Sequence, residues 1–248
     1  MIVRHVLLAA IAAAALAGCS GAAGTAVPVP PTATVAAPTS TAVSGQAVLA
    51  PESASTTITN GSATCDYDVT WLTVHGIPAD AAATANAALD LTPDPIDCEE
   101  SAAVSGGYRD EALNERGVLS TAYVITRSVP GAAYPGSTMQ TFVIDLASGE
   151  EIPLADVLTE RGRAAFVAGC RAGLDPQLVT GVDLCASLYA EPGPDAPYTA
   201  TREGLVAHVY NEVPHAVQAL AERGVLVPWA ALGDGLRPGT PIAALAGR

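Results

Sequence analysis

Five cysteines frame this 248-residue chain. Cys19 closes an apolar leader, and the other four, Cys65, Cys98, Cys170 and Cys185, lie beyond residue 64. An even count outside the cytoplasm favours disulfides. Three pairings are possible. Cys65–Cys98 with Cys170–Cys185 is preferred, because each closes a loop within one local unit. A metal site is the alternative. Against it, no two of these cysteines are close in sequence and no histidine stands at ligand spacing from them.

The leader carries a short positive region at Arg4 and His5, then an apolar run from Val6 to Ala15. Ten or so apolar residues fall short of the ~20 that span a bilayer core, and suit the middle of a secretory signal peptide. Leu16-Ala17-Gly18-Cys19-Ser20 resembles the bacterial lipobox. That resemblance implies cleavage after Gly18 and lipidation of Cys19. The protein is then expected on the outer face of the cytoplasmic membrane, with the membrane itself as one partner, since several acyl chains anchor stably where one does not. An ordinary signal peptide with a chance cysteine is the plainer alternative. No later stretch reaches 18 apolar residues, so no transmembrane helix is expected.

All 11 basic side chains are Arg, against 25 acidic ones, for a formal charge of −14. Clustered cations are what phosphate backbones require, so nucleic acid is excluded as a partner class. The Ala- and Arg-rich, Lys-free composition suits a high-GC actinobacterium. Residues 20–64 are almost all Ala, Thr, Ser, Pro, Val and Gly, with Glu52 the only charge and no aromatic. Such a segment cannot bury enough surface to offset its ordering entropy. The expected organisation is therefore a signal peptide over 1–18, a flexible, lipid-anchored linker over 19–64 and a folded domain over 65–248.

Within that domain, Asp66–Val74 alternates and is rich in β-formers, which predicts a strand. Ala79–Leu89, just past Pro78, predicts a helix. Thr92–Ser101 predicts an acidic loop around Cys98. Strands are expected over Gly107–Asn114, Val118–Val129 and Ser137–Leu146, with a turn at Ala147–Glu150. Asp156–Gly173 predicts a helix, and residues 176–190 a further short one. Tyr198–Thr201 and Leu205–Tyr210 predict a hairpin, Val225–Val227 a last strand and Trp229–Leu232 a helical turn. The fold class is α+β, with helices packed on an antiparallel sheet.

Thr141–Leu158 reads TFVIDLASGEEIPLADVL, and Tyr198–Tyr210 reads YTATREGLVAHVY. Glu212-Val213-Pro214-His215 and Val225–Leu232 (VLVPWAAL) follow. This combination resembles the extracytoplasmic domain of the RsiV-type anti-sigma factors, shared with mycobacterial secreted immunogenic antigens, over roughly residues 66–235. The resemblance implies an α+β fold and a basic protein such as lysozyme as a partner. An acidic surface suits such a partner by long-range steering. Two departures stand out. The spacer His215–Arg223 is Ala-rich, longer and helical in pattern, and no cytoplasmic anti-sigma segment or spanning helix accompanies the domain.

No catalytic motif emerges. Gly-x-Ser-x-Gly is missing, and without Lys there is no Ser-x-x-Lys. His75, His208 and His215 are scattered, and His208, on a strand face with Val206 and Tyr210, reads as a structural histidine. Asp90, Asp94, Asp97, Glu99 and Glu100 offer hard oxygens for Ca²⁺ but lack the EF-hand spacing, so a solvated acidic loop is the simpler reading. The expectation is a binding or sensing module of the cell envelope, with no catalytic residue, metal or cofactor. A cell-wall hydrolase, which would place His208 in a pocket beside an acid, and an assembly lipoprotein are the rivals.

Overall fold

The computed structural model describes residues 46–247, apart from 95, 97, 110–112 and 179–180. The expected signal peptide, Cys19 and most of the expected linker lie outside the described residues. In chain order the elements are β1 (Val48–Asn60), β2 (Ala63–His75), α1 (Ala79–Leu89), β3 (Ala102–Tyr108), β4 (Leu113–Glu115), β5 (Val118–Ser128) and β6 (Gly136–Asp145). There follow α2 (Leu154–Val157), α3 (Glu160–Gly173), α4 (Leu184–Tyr189), β7 (Tyr198–Ala200), β8 (Gly204–Ala207), α5 (Gln218–Ala221), β9 (Val225–Pro228), α6 (Trp229–Leu232) and α7 (Pro241–Leu245). The class is α+β, as expected.

The larger sheet runs β1-β2-β3-β5, with β4 also on β5 and β6 along the other edge of β5. All its pairings are antiparallel except β2 with β3. A parallel pair needs a crossover, and α1 supplies it. Ala81, Ala85 and Leu89, four residues apart, give α1 one buried stripe. Beyond β3, the edge of β2 is completed by side chains. Leu72 donates its N–H to the Tyr123 hydroxyl at 3.0 Å, and the Asn86 carboxamide clamps the N–H and C=O of Val74.

β1 corrects the expected linker over 19–64 and the domain start at Cys65. Residues 48–60 are a strand, paired with β2 over thirteen positions from Val48↔His75 to Asn60↔Ala63. β1 is the edge strand and most of its residues are exposed, so it carries no apolar alternation. Its Pro51 sits where a sheet tolerates proline, on an edge. The partner strand, not the segment's own composition, orders it. The expected strand over Gly107–Asn114 is likewise displaced: β3 ends at Tyr108 and β4 begins at Leu113.

The smaller sheet is antiparallel, in the order β7-β8-β9. Its inner face packs on α3 in a core built from Phe166, Cys170, Tyr189, Tyr198, Leu205, Val227 and Leu232. Phe166 and Tyr189 meet edge to face at 5.0 Å. The expected helix over Asp156–Gly173 is in fact two. Thr159 breaks it and caps α3, accepting from Gly162 N–H through its hydroxyl. Gly162 is needed there because a Cβ would collide with the backbone of Gly235. The disulfides are Cys65–Cys98 and Cys170–Cys185, the preferred pairing. The first ties β2 to the loop after α1, and the second staples α3 to α4.

Candidate functional site

The two sheets face each other across a gap. From the larger sheet come alternate residues of β5 and β6, Ser120, Ala122, Met139, Thr141 and Val143, which the β5–β6 register places on one face. From the smaller sheet come Thr199 and Val206, with Thr201 and His208 one residue past the ends of β7 and β8. Ser120 Oγ accepts the Ala200 N–H at 2.8 Å and links the two sheets directly. Two cavities open in this gap, of about 470 and 770 Å³, and both have Met139 and His208 in their walls.

His208 is the hinge of the site. Its residue is 6 % exposed. Nε2 lies 2.9 Å from Thr199 Oγ1, and the main chain is held by Tyr189, whose hydroxyl donates to the His208 C=O at 2.8 Å. Nδ1 has no hydrogen-bond partner among the described residues. Gly224, at φ +66°, lies against this edge of the ring, where a Cβ would come within 2.9 Å of Nδ1. Burial, aided by the nearby Arg109 charge, lowers the imidazole pKa to about 4. The ring is therefore neutral at pH 7.

This sets a pH dependence. The unfolded chain takes up the His208 proton near pH 6.5, whereas the folded chain resists until about pH 4. Stability is unaffected above pH 6.5 and falls as pH drops from 6.5 to 4, by up to about 3 kcal/mol from this group. Chemical denaturation of wild type and His208→Gln across that range should show a shallower loss in the variant. Identical slopes would remove His208 as the cause.

The smaller cavity runs along the outer edge of β6. At one end Val143 C=O accepts from Ile152 N–H at 2.7 Å. At the other the Asn211 carboxamide clamps the N–H and C=O of Met139, both at 2.8 Å. Thr141, midway, turns the same edge outward and meets neither closure. Glu151, Asp195 and Glu212 line this cleft, from three separate connecting segments, the last of them a 3-10 turn over Tyr210–Glu212. Partial burial and the Asp195 charge raise the pKa of Glu151.

The larger cavity opens between Arg109 and Glu222, which form an ion pair at its mouth. Arg223 and Tyr108 complete the rim, and the hydroxyl-bearing Ser120, Thr199 and Thr201 line the interior.

Other sequence candidates lie elsewhere. His75 contacts Thr73 Oγ1 at 3.1 Å, and His215 stacks on Tyr134 at 4.7 Å; both are exposed. In the acidic loop, Asp90 accepts from Thr92 N–H and Asp94 from Ile96 N–H, so these carboxylates cap turns. Asp97 lies outside the described residues. Among the described residues no group of three or more His, Cys, Asp or Glu is placed to hold a metal ion. No described helix is long and apolar enough to cross a membrane. Glu151, Asp195, Asn211 and Glu212 were not legible as a group, because they converge only through the packing of three connecting segments on β6.

No protein-family model matches the chain, and no curated protein matches it. Among solved structures, the fold is similar to a member of the DUF3298 family from Bacteroides fragilis, at 11 % identity and a TM-score of 0.54. That alignment covers 82 % of this chain and 98 % of the other. A DUF3298 family protein from Pseudomonas aeruginosa aligns at 12 % identity and a TM-score of 0.49, over 78 % of this chain and 96 % of the other. The likeness to the Bacteroides fragilis protein establishes a shared fold.

Proposed function

We propose that this protein is a lipid-anchored binding module of the cell envelope, held through Cys19 on the outer face of the cytoplasmic membrane, and that it takes a cationic segment of a partner protein in the cleft along β6. The observation that carries this reading is the convergence of Glu151, Asp195 and Glu212 around the outward-facing edge of Thr141. An extended basic segment would find main-chain donors and acceptors at that edge and carboxylates for its Lys or Arg side chains. A basic protein such as lysozyme, the partner implied by the RsiV-type resemblance, fits this chemistry. The reading is non-catalytic. In support, although His208 and three acids line the same cavity, the charge acting on the ring is that of Arg109, and Nε2 meets the Thr199 hydroxyl and not a carboxylate.

Residues 20–248 should bind lysozyme at low ionic strength, with affinity falling steeply as salt rises. The triple variant Glu151→Gln, Asp195→Asn, Glu212→Gln should bind at least about tenfold more weakly, a loss of ~1.4 kcal/mol. Neutralising Asp66 and Asp68 on β2 instead should change little. Equal binding by the triple variant, or no binding by wild type, would overturn the proposal.

A further inference from the structure

The C-terminal half of β1 is the longest sheet edge left open among the described residues, and we infer that it pairs with the same strand of a second copy of this chain. β4 and β7 are edges of three residues each, and β9 has four, ending in Pro228. β6 is closed on either side of Thr141, by Asn211 and by Ile152. β1 runs for thirteen residues in an unbroken register, and β2 is its only described neighbour. Long, flat edges of this kind are templates for another strand.

Which groups face outward follows from β2. Val74 spends both main-chain groups on Asn86, and Leu72 its N–H on Tyr123, so the even-numbered residues of β2 point away from β1. Their partners, the odd-numbered residues of β1, point away from β2 in turn. Pro51 is among them and has no N–H to offer, and Glu52 follows it, so the first half of the edge is blocked. Beyond it the outward residues are Ser53, Ser55, Thr57 and Thr59, all exposed, and from Ser53 to Asn60 there is no charge, proline or glycine.

The occupant is a second copy because this stretch complements itself. An antiparallel pair with Thr56 opposite its own counterpart sets Ser55 against Thr57 and Ser53 against Thr59, so the outward N–H and C=O groups of all four are met. That register leaves Pro51 beyond the ladder, opposite the Gly61 turn. It places Glu52 against Asn60 and not against another acid, and brings Ala54 against Ile58 on one face. Asp68 and Asp66 flank the seam from β2, as partners of Ser55 and Thr57. Across the seam they stand three strand spacings apart, about 14 Å, beyond the ~8 Å screening length of physiological salt. A cationic strand from another protein would find no carboxylate from Ser53 to Asn60. The paired stretch is short against the ~20–30 residues a side of a stable interface, so the dimer is weak and reversible.

The test follows residues 20–248 by sedimentation equilibrium from about 10 µM to about 1 mM. A monomer–dimer equilibrium within that range is expected. Added salt should strengthen it by screening the net negative charge of both copies, whereas the same salt weakens lysozyme binding. Thr57→Pro removes an outward N–H and leaves the β2 ladder intact, as Pro51 does, and Ser55→Glu sets like charges diagonally across the seam. Each should raise the dimer dissociation constant at least about tenfold, with unfolding midpoints confirming that both variants are folded. Thr56→Cys would face its counterpart at about 4.5 Å between Cα atoms, within reach of a disulfide, and should cross-link on oxidation, whereas Ser62→Cys, in the turn, should not. The inference is overturned if the protein is monomeric at about 1 mM, if salt dissociates the dimer, if either folded variant dimerises as the parent does, or if Thr56→Cys cross-links no faster than Ser62→Cys. Dimerisation of residues 46–248 but not of 20–248 would also overturn it, because the preceding segment of the chain would then be the occupant.

Discussion

A chain shortened to begin at Cys65 is expected to lose most of its stability and to self-associate, whereas one beginning at Gln46 should unfold like the mature protein. The reason is β1. Its thirteen paired positions satisfy the whole outer edge of β2. Just before it, Ala47 C=O accepts from Asn114 Nδ2, and Gln46 donates to Asn114 C=O at 2.9 Å. The ~1 kcal/mol net from each main-chain bond is largely offset by the ~1–2 kcal/mol that ordering each residue of β1 costs, so the expected loss comes from the β2 backbone groups and side chains that truncation leaves uncovered. Removing β1 also leaves β2, with Tyr67, Val69 and Leu72, as a bare edge open to edge-to-edge pairing. Thermal unfolding should show a midpoint lower by at least about 10 °C, with loss of material to aggregation. If the 65–248 protein melts within about 2 °C of the 46–248 protein, β1 is not part of the cooperative unit.

The two disulfides should differ in the order of the loops they close. Cys170–Cys185 lies in the largest core cluster, but it closes a sequence separation of only 15 residues. Cys65–Cys98 closes 33 and encloses α1, the crossover on which the parallel β2–β3 pair depends. Loop-closure entropy assigns about 3 kcal/mol to the shorter loop and about 4 kcal/mol to the longer. All four cysteines are fully buried, so replacing each pair by Ala costs similar packing. Cys65→Ala with Cys98→Ala should therefore be the more destabilising pair in urea denaturation, with a larger m-value because the unfolded chain without the cross-link exposes more surface. A larger loss from Cys170→Ala with Cys185→Ala would show that the α3–α4 staple acts through native packing and not through the unfolded chain.

Both predictions bear on how the fold is written into the sequence. Elements that carry their own periodicity were legible. α1 matches its expected bounds because Ala81, Ala85 and Leu89 repeat on one face after Pro78. β2 alternates buried and exposed residues as its period predicts, whereas β5 and β6, also rich in β-formers, lie in the middle of the fold and bury successive residues over Val118–Tyr123 and Phe142–Ile144. Thr159 was missed as a break because Val157 and Phe166 continue a plausible helical stripe across it. Only the contact with Gly235, through its C=O, makes a new start there favourable.

The candidate site was less legible than the fold. The strand expected over Leu205–Tyr210 ends at Ala207, so His208 sits one residue past it and Tyr210 starts a 3-10 turn; His208 lies in the gap between the sheets. Its burial, its Thr199 partner and its lowered pKa could not be read from the chain. The Asn86 and Asn211 clamps left no sequence signal at all, since a carboxamide that imitates a strand is defined by the backbone it meets.

By itself, then, the sequence determined the α+β class, most helices and the alternating strand β2, and it favoured the local cysteine pairing over the other two. These depend on side-chain period and short loops, which act between residues near in the chain. Tertiary structure decided that an apparently unfoldable Ala/Thr/Ser segment is a strand, and that three acids from three connecting segments share one cleft. It also decided that a lone histidine stands between two cavities. Each of those outcomes depends on partners tens of residues away, whose approach is set by the packing of whole sheets and not by the composition of the segments they order.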